Sequence, residues 1–235
     1  SLGAGVQAST LLLMAGHGEV KIDRAIFADT QWEPRAVYDW LDWLEKQLPF
    51  PTYRVSAGDL WLSASTVRRT QDGHRTYVST GIPVFTINGL EKGMGKRQCT
   101  RTFKIEPVVR KTRELLGMRR VPAGSPVLAN MLMGISTDEA IRMKPAAKPW
   151  IKARFPLINI GMSRQDCLNW MAAKGHPTPP KSACTYCPFH DDEAWLAMPQ
   201  DELDDVIQKE RELQAAYAAT RGALFGPEVL DATLA

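Results

Sequence analysis

One stretch constrains this chain more than any other: Ser1-Leu2-Gly3-Ala4-Gly5-Val6-Gln7-Ala8-Ser9-Thr10, followed at once by Leu11-Leu12-Leu13-Met14-Ala15. Two glycines and two small residues let backbone N–H groups turn toward a common point. The apolar run behind them predicts a helix from about Ala8 to Gly16 whose positive end faces that point. The combination is an anion cradle. It is neither of the common phosphate motifs, because no Lys-Ser or Lys-Thr pair closes it and no acidic residue stands where a dinucleotide fold reads the ribose. The alternative for so short a glycine motif is a plain turn.

The rest of the chain supplies enough material for one α/β domain with appendages: 235 residues, 44% hydrophobic and 23% charged. It holds no apolar run of membrane-spanning length and no basic-then-apolar leader, so the expectation is a cytoplasmic protein without a membrane partner. The net charge of +3 is mild, but Arg68-Arg69, residues 92–101, 110–120 and 144–154 gather much of the basic charge. That grouping suits an anionic substrate such as nucleic acid, or a solvated surface. In a reducing compartment the pair Cys184-Thr185-Tyr186-Cys187 points to metal or redox chemistry rather than to a structural disulfide.

Along the chain, Arg24-Ala25-Ile26-Phe27-Ala28 reads as a doubly buried strand. Asp29-Thr30 stand at its carboxyl end, where open α/β sheets place ligand-binding groups. A helix after Pro34 is predicted from Val37, Trp40, Leu41, Leu44 and Leu48, with Trp32, Tyr38, Trp40 and Trp43 serving as packing. Thr52 to Val55 is the next strand. Leu60 to Arg69 reads as helical, Gln71 to Thr80 is polar, and the whole of 58–96 reads as a lid or edge segment. Its glycines Gly89, Gly93 and Gly95 among Lys92, Lys96 and Arg97 form a basic approach to Cys99. Val127 to Ile135 is a further buried strand, and Ser136 with Glu139 has the spacing of a helix start. Ser163 caps a helix carrying Cys167, Leu168, Trp170 and Met171, and Leu203, Val206, Ile207, Leu213 and Tyr217 outline a last amphipathic helix.

Several of these segments, in this order, resemble one superfamily. Gly3 to Ser9 occupies the frame of the PP-loop, Ser-Gly-Gly-x-Asp-Ser, of adenine nucleotide alpha-hydrolase-like proteins. Cys99 to Pro107 resembles the Cys-Cys-x-x-x-Lys-x-x-Pro segment of the phosphoadenylylsulfate-reductase-like branch, with Gln98 in place of the first cysteine. The stretch carrying Gly134, Ile135, Glu139 and Arg142 resembles its Gly-Ile-Arg-x-x-Glu-Ser-x-x-Arg segment, and a capped helix, a proline segment and Cys184-x-x-Cys187 follow as they do there. The resemblance covers roughly Ser1 to Phe189.

It implies a Rossmann-like (HUP-type) parallel β-sheet flanked by helices, with a C-terminal Cys-rich and helical extension. The division it suggests is a nucleotide-binding domain over 1–160 and the Cys-x-x-Cys segment with a helical extension over 161–235. A first strand would precede Ser1. It further implies an ATP pyrophosphatase: Ser1, Gly3, Ala4, Gly5, Val6, Ser9, Thr10, Asp29, Thr30, Gly134, Glu139 and Arg142 around ATP and Mg2+, with Gln7, Ala8, Arg101 and Lys104 in catalytic positions. Cys99, Cys184 and Cys187 match ligands of a [4Fe-4S] cluster lying near the nucleotide. Cys167 is either a fourth ligand or a buried small hydrophobe, and Zn2+ is the alternative metal, since spacing alone does not choose between them.

Two departures shape the functional reading. No cysteine follows Cys187, so the reductive route of a sulfonucleotide reductase lacks its nucleophile. Ala8 stands where the family has a hydroxyl, which is expected to impair turnover unless Ser9 or Thr10 replaces it. What remains is activation of an acceptor for sulfur incorporation, DNA backbone phosphate ahead of tRNA, with a cysteine desulfurase or other sulfur donor as partner and a homodimer as the compatible assembly. The other readings are a tRNA-thiolating sulfurtransferase, a sulfonucleotide reductase-like oxidoreductase, a non-catalytic nucleotide- or cluster-binding subunit, and a zinc-stabilised module.

Overall fold

A computed structural model describes residues 3–69, 71, 76–78, 81–88, 91–95 and 97–221. The chain divides into two compact units. The first comprises Ser1–Asp29, Glu33–Ala57 and Phe103–Ser182, and the second Thr30–Trp32, Gly58–Thr102 and Ala183–Ala235. This differs from a split at 160. The helix bearing Cys167 packs on the first helix within the first unit, and residues 58–102 fold with the carboxyl-terminal segment.

In the first unit, α1 (Val6–Gly16) is buried along nearly its whole length, because its sequence is apolar on every face. Full burial of Leu11, Leu12 and Leu13 contributes about 1.5–3 kcal/mol each. The helix starts two residues earlier than its sequence suggests, since Gly5 takes the extended cap conformation. β1 (Ala25–Asp29) pairs in parallel with β2 (Thr52–Ser56), Ala25 opposite Thr52 and Asp29 opposite Ser56. Between them α2 (Arg35–Gln47) lays Val37, Trp40, Leu41 and Leu44 into a core shared with Leu12, Leu13, Phe27 and Met171. Pro34 precedes the helix and fixes its entry.

Later in the chain, α4 (Glu106–Leu115) covers Ile26 and Ala28 of β1 with Val108. β7 (Ala129–Leu132) pairs in parallel with β8 (Ile151–Arg154), and α5 (Pro156–Asn159) and α6 (Arg164–Ala173) complete the unit. α6 begins with the capping box read from its sequence, the Ser163 hydroxyl accepting from Asp166 N–H and the Asp166 carboxylate accepting from Ser163 N–H. Ser136 does not start an α-helix: Thr137–Arg142 form a 3-10 turn with Glu139 off helical geometry.

The fold is thus mixed α/β with parallel strand pairs. The two pairs are not hydrogen-bonded to each other. A cavity of about 650 Å3 lies between them, lined by Leu11, Ile26, Val108, Leu115, Ala129 and Met131 among others.

The second unit is built from α3 (Leu60–Ser65), the antiparallel pairs β3 (Val67–Arg69) with β4 (Thr76–Val78) and β5 (Phe85–Asn88) with β6 (Glu91–Met94), α7 (Asp192–Leu196) and α8 (Gln200–Arg221). The helix read over 60–69 stops at Ser65, and Val67 to Arg69 pair as a hairpin strand instead. A π-helical turn, Thr100–Ile105, leads into α4. Among the described residues no helix is long and apolar enough to cross a membrane.

One contact fixes where α1 begins. A Cβ built on Gly134, just after β7, would stand 2.6 Å from both N and Cα of Ala8, a distance no side chain tolerates against backbone. Gly134→Ala is therefore expected to cost at least about 1–3 kcal/mol through forced displacement of backbone, read as a lower urea midpoint; an unchanged midpoint would contradict the contact.

Candidate functional site

Because β7 runs into Gly134 and Gly134 abuts Ala8, the first turn of α1 lies at the carboxyl end of β7. Gly5 is the N-cap and contributes no side-chain acceptor to the N–H groups of that turn. Those groups and the helix dipole leave a site suited to an anion. Around it, Gly3 approaches Ala8, whose methyl is 3.8 Å from where a Cβ on Gly3 would sit, and Ser182 Cβ lies 3.5 Å from the equivalent point on Gly5. Ala4 is buried among core residues. Ser1 lies outside the described residues, as do Leu2, Gly89 and Lys96.

The other sequence-selected residues of α1 divide into outward and inward groups. Val6 packs against Met14, Leu157 and Cys167. Ser9 and Thr10 are both fully buried; the Ser9 hydroxyl accepts from Trp40 Nε1 at 2.9 Å and the Thr10 hydroxyl donates to the Val6 carbonyl at 2.9 Å. Their side chains serve the core, so neither hydroxyl faces a ligand at the start of α1. Gln7 is the hub of a closed polar ring. Arg164 Nη1 donates to its Oε1 at 3.3 Å, its Nε2 donates to Ser136 Oγ at 3.2 Å, and Arg164 N–H donates to Asp138 Oδ1 at 2.9 Å. The Ser136 hydroxyl, followed by the Arg164 amide, holds the Asp138 carboxyl below its ordinary range. Gln7 thereby positions the first turn of α1, and Arg164 brings a guanidinium to it.

Of the remaining candidates, Asp29 ends β1 and accepts from Tyr38 O–H at 2.8 Å. Burial and that carboxylate raise the Tyr38 hydroxyl well above its usual range. Glu139 and Arg142 pair with each other at 2.6 Å, the arginine mostly exposed. Lys104 reaches Glu33, 3.3 Å away, whose side chain is only 1% exposed. Arg101 is exposed on the π-helical turn.

The cysteines separate by unit. Cys167 is fully buried among Val6, Met14 and Leu157 in the first unit, and burial pushes its thiol up to about 11. This is the small-hydrophobe environment, which disfavours the thiolate a metal needs. Cys99, Cys184 and Cys187 belong to the second unit and are partly exposed. Cys99 N–H donates to the Gly81 carbonyl at 2.6 Å. Arg97, two residues earlier, sets its guanidinium 5.0 Å from the ring centre of Phe189, two residues after Cys187. Thr30 Oγ1 stands 3.4 Å from Cys184 Sγ, and Thr185 N–H donates to the Trp32 carbonyl at 2.7 Å. Among the described residues, no three or more His, Cys, Asp or Glu side chains are gathered as a metal ion needs.

Sequence reasoning missed four participants. Glu33 and Arg164 carried no motif. Gln31 has φ 61°, a left-handed conformation costing a non-glycine residue about 1–2 kcal/mol, and it joins Thr30 to Trp32 beside the cysteine loop. His190 completes Cys184-x-x-Cys187-x-x-His190, a spacing that was legible. Its Nε2 lies 3.0 Å from the Cys184 carbonyl, its ring meets Trp195 edge-on at 4.8 Å, and its buried Nδ1 has no hydrogen-bond partner among the described residues.

Compared with protein-family models and with curated proteins, the chain matches none.

The contrast among thiols is measurable. Native alkylation at pH 8 is expected to modify Cys99, Cys184 and Cys187 and to spare Cys167 until the chain unfolds; mass spectrometry showing Cys167 modified at a similar rate would contradict its burial. The sign of the linked pH effect follows from the raised value. Between the unfolded thiol value of ~8.5 and the folded value of about 11, the unfolded chain loses the Cys167 proton first. The stabilisation is complete below that window and falls through it as pH rises, and Cys167→Ala is expected to flatten that part of the stability curve.

Proposed function

We propose that this chain is a PP-loop ATP pyrophosphatase of the phosphoadenylylsulfate-reductase-like type, activating a nucleic-acid phosphate for sulfur incorporation. The observation that carries the reading is the convergence of Gly3 and Gly134 on Ala8 at the uncapped start of α1. Both backbones approach a helix end whose N–H groups suit a polyphosphate. Arg164, tied to Gln7, supplies positive charge at the same turn.

In this reading the backbone of Gly3 to Ala8 binds the β- and γ-phosphates, and Mg2+ is carried in by the phosphate oxygens. An acceptor oxygen attacks the α-phosphorus in line, pyrophosphate departs with the P–O electron pair, and the adenylate left on the acceptor is the group that sulfur later displaces. Gln7 and Ser136 hold the helix start in place, and Arg164 offsets charge as it shifts to the leaving pyrophosphate. In this reading the acceptor is DNA ahead of tRNA, and exposed Arg68, Arg69 and Arg97 give the second unit basic charge of its own.

Cys99, Cys184 and Cys187, partly exposed thiols of the second unit, would be the ligands of a [4Fe-4S] cluster once drawn together, with Cys167 left out. Such a cluster, when bound, supplies sulfur or electrons. Zinc is the alternative for the same thiolates. The cavity between β1 and β7 supports the Rossmann-like arrangement, as the place a further parallel strand would occupy between the two pairs.

A second reading, a nucleotide-binding subunit without turnover, is favoured by Ala8 itself, since Ser9 and Thr10 are turned inward. The two separate on one comparison. Restoring the hydroxyl by Ala8→Ser places a donor beside Gly3, and a charge-assisted hydrogen bond of about 1.5–3 kcal/mol raises pyrophosphate release roughly ten- to a hundredfold. Nucleotide binding without pyrophosphate release in both chains would overturn the enzymatic reading. Iron, sulfide and zinc analysis of anaerobically purified protein is expected to give iron and sulfide that fall in Cys184→Ser and Cys187→Ser but persist in Cys167→Ala; zinc alone would replace the cluster.

A further inference from the structure

At the other end of α1 a pair of imidazoles meets head-on. His17 is the C-cap of α1, and His176 lies three residues beyond the end of α6. Their Nε2 atoms are 3.0 Å apart and their ring centres 5.3 Å apart, although the residues are separated by 159 positions in sequence. Trp170 stacks on His176 at 6.0 Å with 28° between planes and meets His17 edge-on at 5.4 Å. Trp43 of α2 meets His176 edge-on at 6.0 Å. The backbone N–H of His176 donates to the Met171 carbonyl at 2.9 Å.

From this pair the chain continues as His176-Pro177-Thr178-Pro179-Pro180-Lys181-Ser182, neither helix nor strand, with Pro179 buried. Ser182 stands at the opposite end of α1: its Cβ lies 3.5 Å from where a Cβ on Gly5, the N-cap, would sit. The segment therefore spans α1 from C-cap to N-cap. The lengths agree. Gly5 and His17 are twelve helical steps apart, about 18 Å at ~1.5 Å each, and six steps of polyproline-like chain at ~3.1 Å cover about 19 Å. Three prolines favour that extended form, since each fixes φ and turns the residue before it away from helical geometry. A stiff segment of this length transmits a shift at one end to the other.

Two neutral imidazoles at this distance share one proton in an N–H···N hydrogen bond, which needs a lone pair on one of the facing nitrogens. One added proton leaves that lone pair in place and makes the bond charge-assisted. A second removes it and sets two N–H groups and two positive charges against each other. The charged neighbours are Lys174, the C-cap of α6, and Glu19 just beyond α1. The Glu19 carboxylate accepts from Trp170 Nε1 at 3.1 Å and pairs with Lys174 Nζ at 3.3 Å, so it offsets the lysine rather than the imidazoles. α2 presents the uncharged Trp43, and Lys181 of the segment itself stands beside Ser182 in sequence. Burial, then the nearness of His17 and Lys174, keeps the His176 ring neutral to lower pH than usual. As pH falls below ~6.5 the unfolded chain takes up this proton first, so the stabilisation is complete above that value and is lost below it.

We propose that residues 176–182 form a strap along α1, buckled by the His17–His176 hydrogen bond, and that protonation of both rings opens the buckle and withdraws Ser182 from Gly5. The functional consequence, pH control of the polyphosphate site, rests on the reading given above for the start of α1.

The test is an NMR titration of the ligand-free chain from about pH 8 to about pH 5, following imidazole and backbone amide signals. His176 is expected to titrate at lower pH than in the urea-unfolded chain, with the Gly5 and Ser182 amides shifting at the same midpoint. His17→Ala removes the buckle. In that chain His176 should titrate nearer its unfolded value, and the Gly5 and Ser182 amides should sit close to their acid positions at every pH. His176→Gln keeps a neutral hydrogen-bonding partner for His17, and the same two amides should hold their high-pH positions throughout. Circular dichroism matching wild type establishes that each variant is folded. Gly5 and Ser182 amides that stay still while His176 titrates, or that show the wild-type step in His17→Ala, would overturn the proposal. No nucleotide is present, so this outcome is independent of whether the start of α1 binds ATP.

Discussion

The first unit depends on one backbone-to-backbone contact, Gly134 against Ala8. A residue with a side chain at 134 cannot occupy that place, so α1 begins where β7 ends. From there the helix runs through the core with Val6 to Ala15 almost wholly buried, and its far end is Gly16, where a Cβ would stand a tight 3.3 Å from the Gln47 carbonyl. A helix so covered has little freedom to shift along its axis, because Leu12 and Leu13 pack in the α2 core and Val6 and Met14 pack against Leu157 and Cys167 of α5 and α6. The position of its positive end is therefore a property of the whole core rather than of the glycine turn alone.

Burying such a helix requires that its polar groups be satisfied within the fold, and for Ser9 and Gln7 the partner lies far away in sequence. Ser9 takes the Trp40 indole N–H, Gln7 joins Arg164 to Ser136, and Thr10 returns its proton to the helix backbone. Each unmade bond in such a place would cost about 1–3 kcal/mol. The second unit solves a different problem. It surrounds its Cys-x-x-Cys loop with aromatic rings: Trp61 meets Tyr186 edge-on at 4.7 Å and Trp32 at 6.0 Å. Asp59 and Glu212 accept from the two indole N–H groups. That environment limits water around part of the loop while leaving Cys184 and Cys187 partly exposed.

The elements were legible in the sequence wherever local chemistry decides the outcome. β1 is a run of apolar residues, α2 shows its apolar spacing, and Ser163 with Asp166 announces the start of α6 in a capping box. Legibility failed where distant contacts decide. Ser136 has the spacing of a helix cap, yet it is buried and bonded to Gln7, and the residues after it make only a 3-10 turn. Cys167 reads equally as ligand or hydrophobe until its neighbours Val6, Met14 and Leu157 are known. Ser9 and Thr10 look like loop hydroxyls until the 3.6-residue turn rotates them inward. Glu33 and Arg164 carry no local signal, since the ion pair of buried Glu33 with Lys104 and the polar ring exist only between segments remote in sequence. His190 was open to discovery from its spacing after Cys187 and shows that a Cys-x-x-Cys pair is best read with the residues beyond it.

The central claim is that the start of α1 grips a polyphosphate through its backbone, and the most direct measurement is amide NMR of the chain titrated with ATP and Mg2+. The account predicts that the backbone amides of Gly5, Val6, Gln7 and Ala8 shift first and saturably, together with the Arg164 side chain, and that pyrophosphate reproduces the pattern. Saturable shifts confined to other segments, or none at millimolar nucleotide, would contradict it.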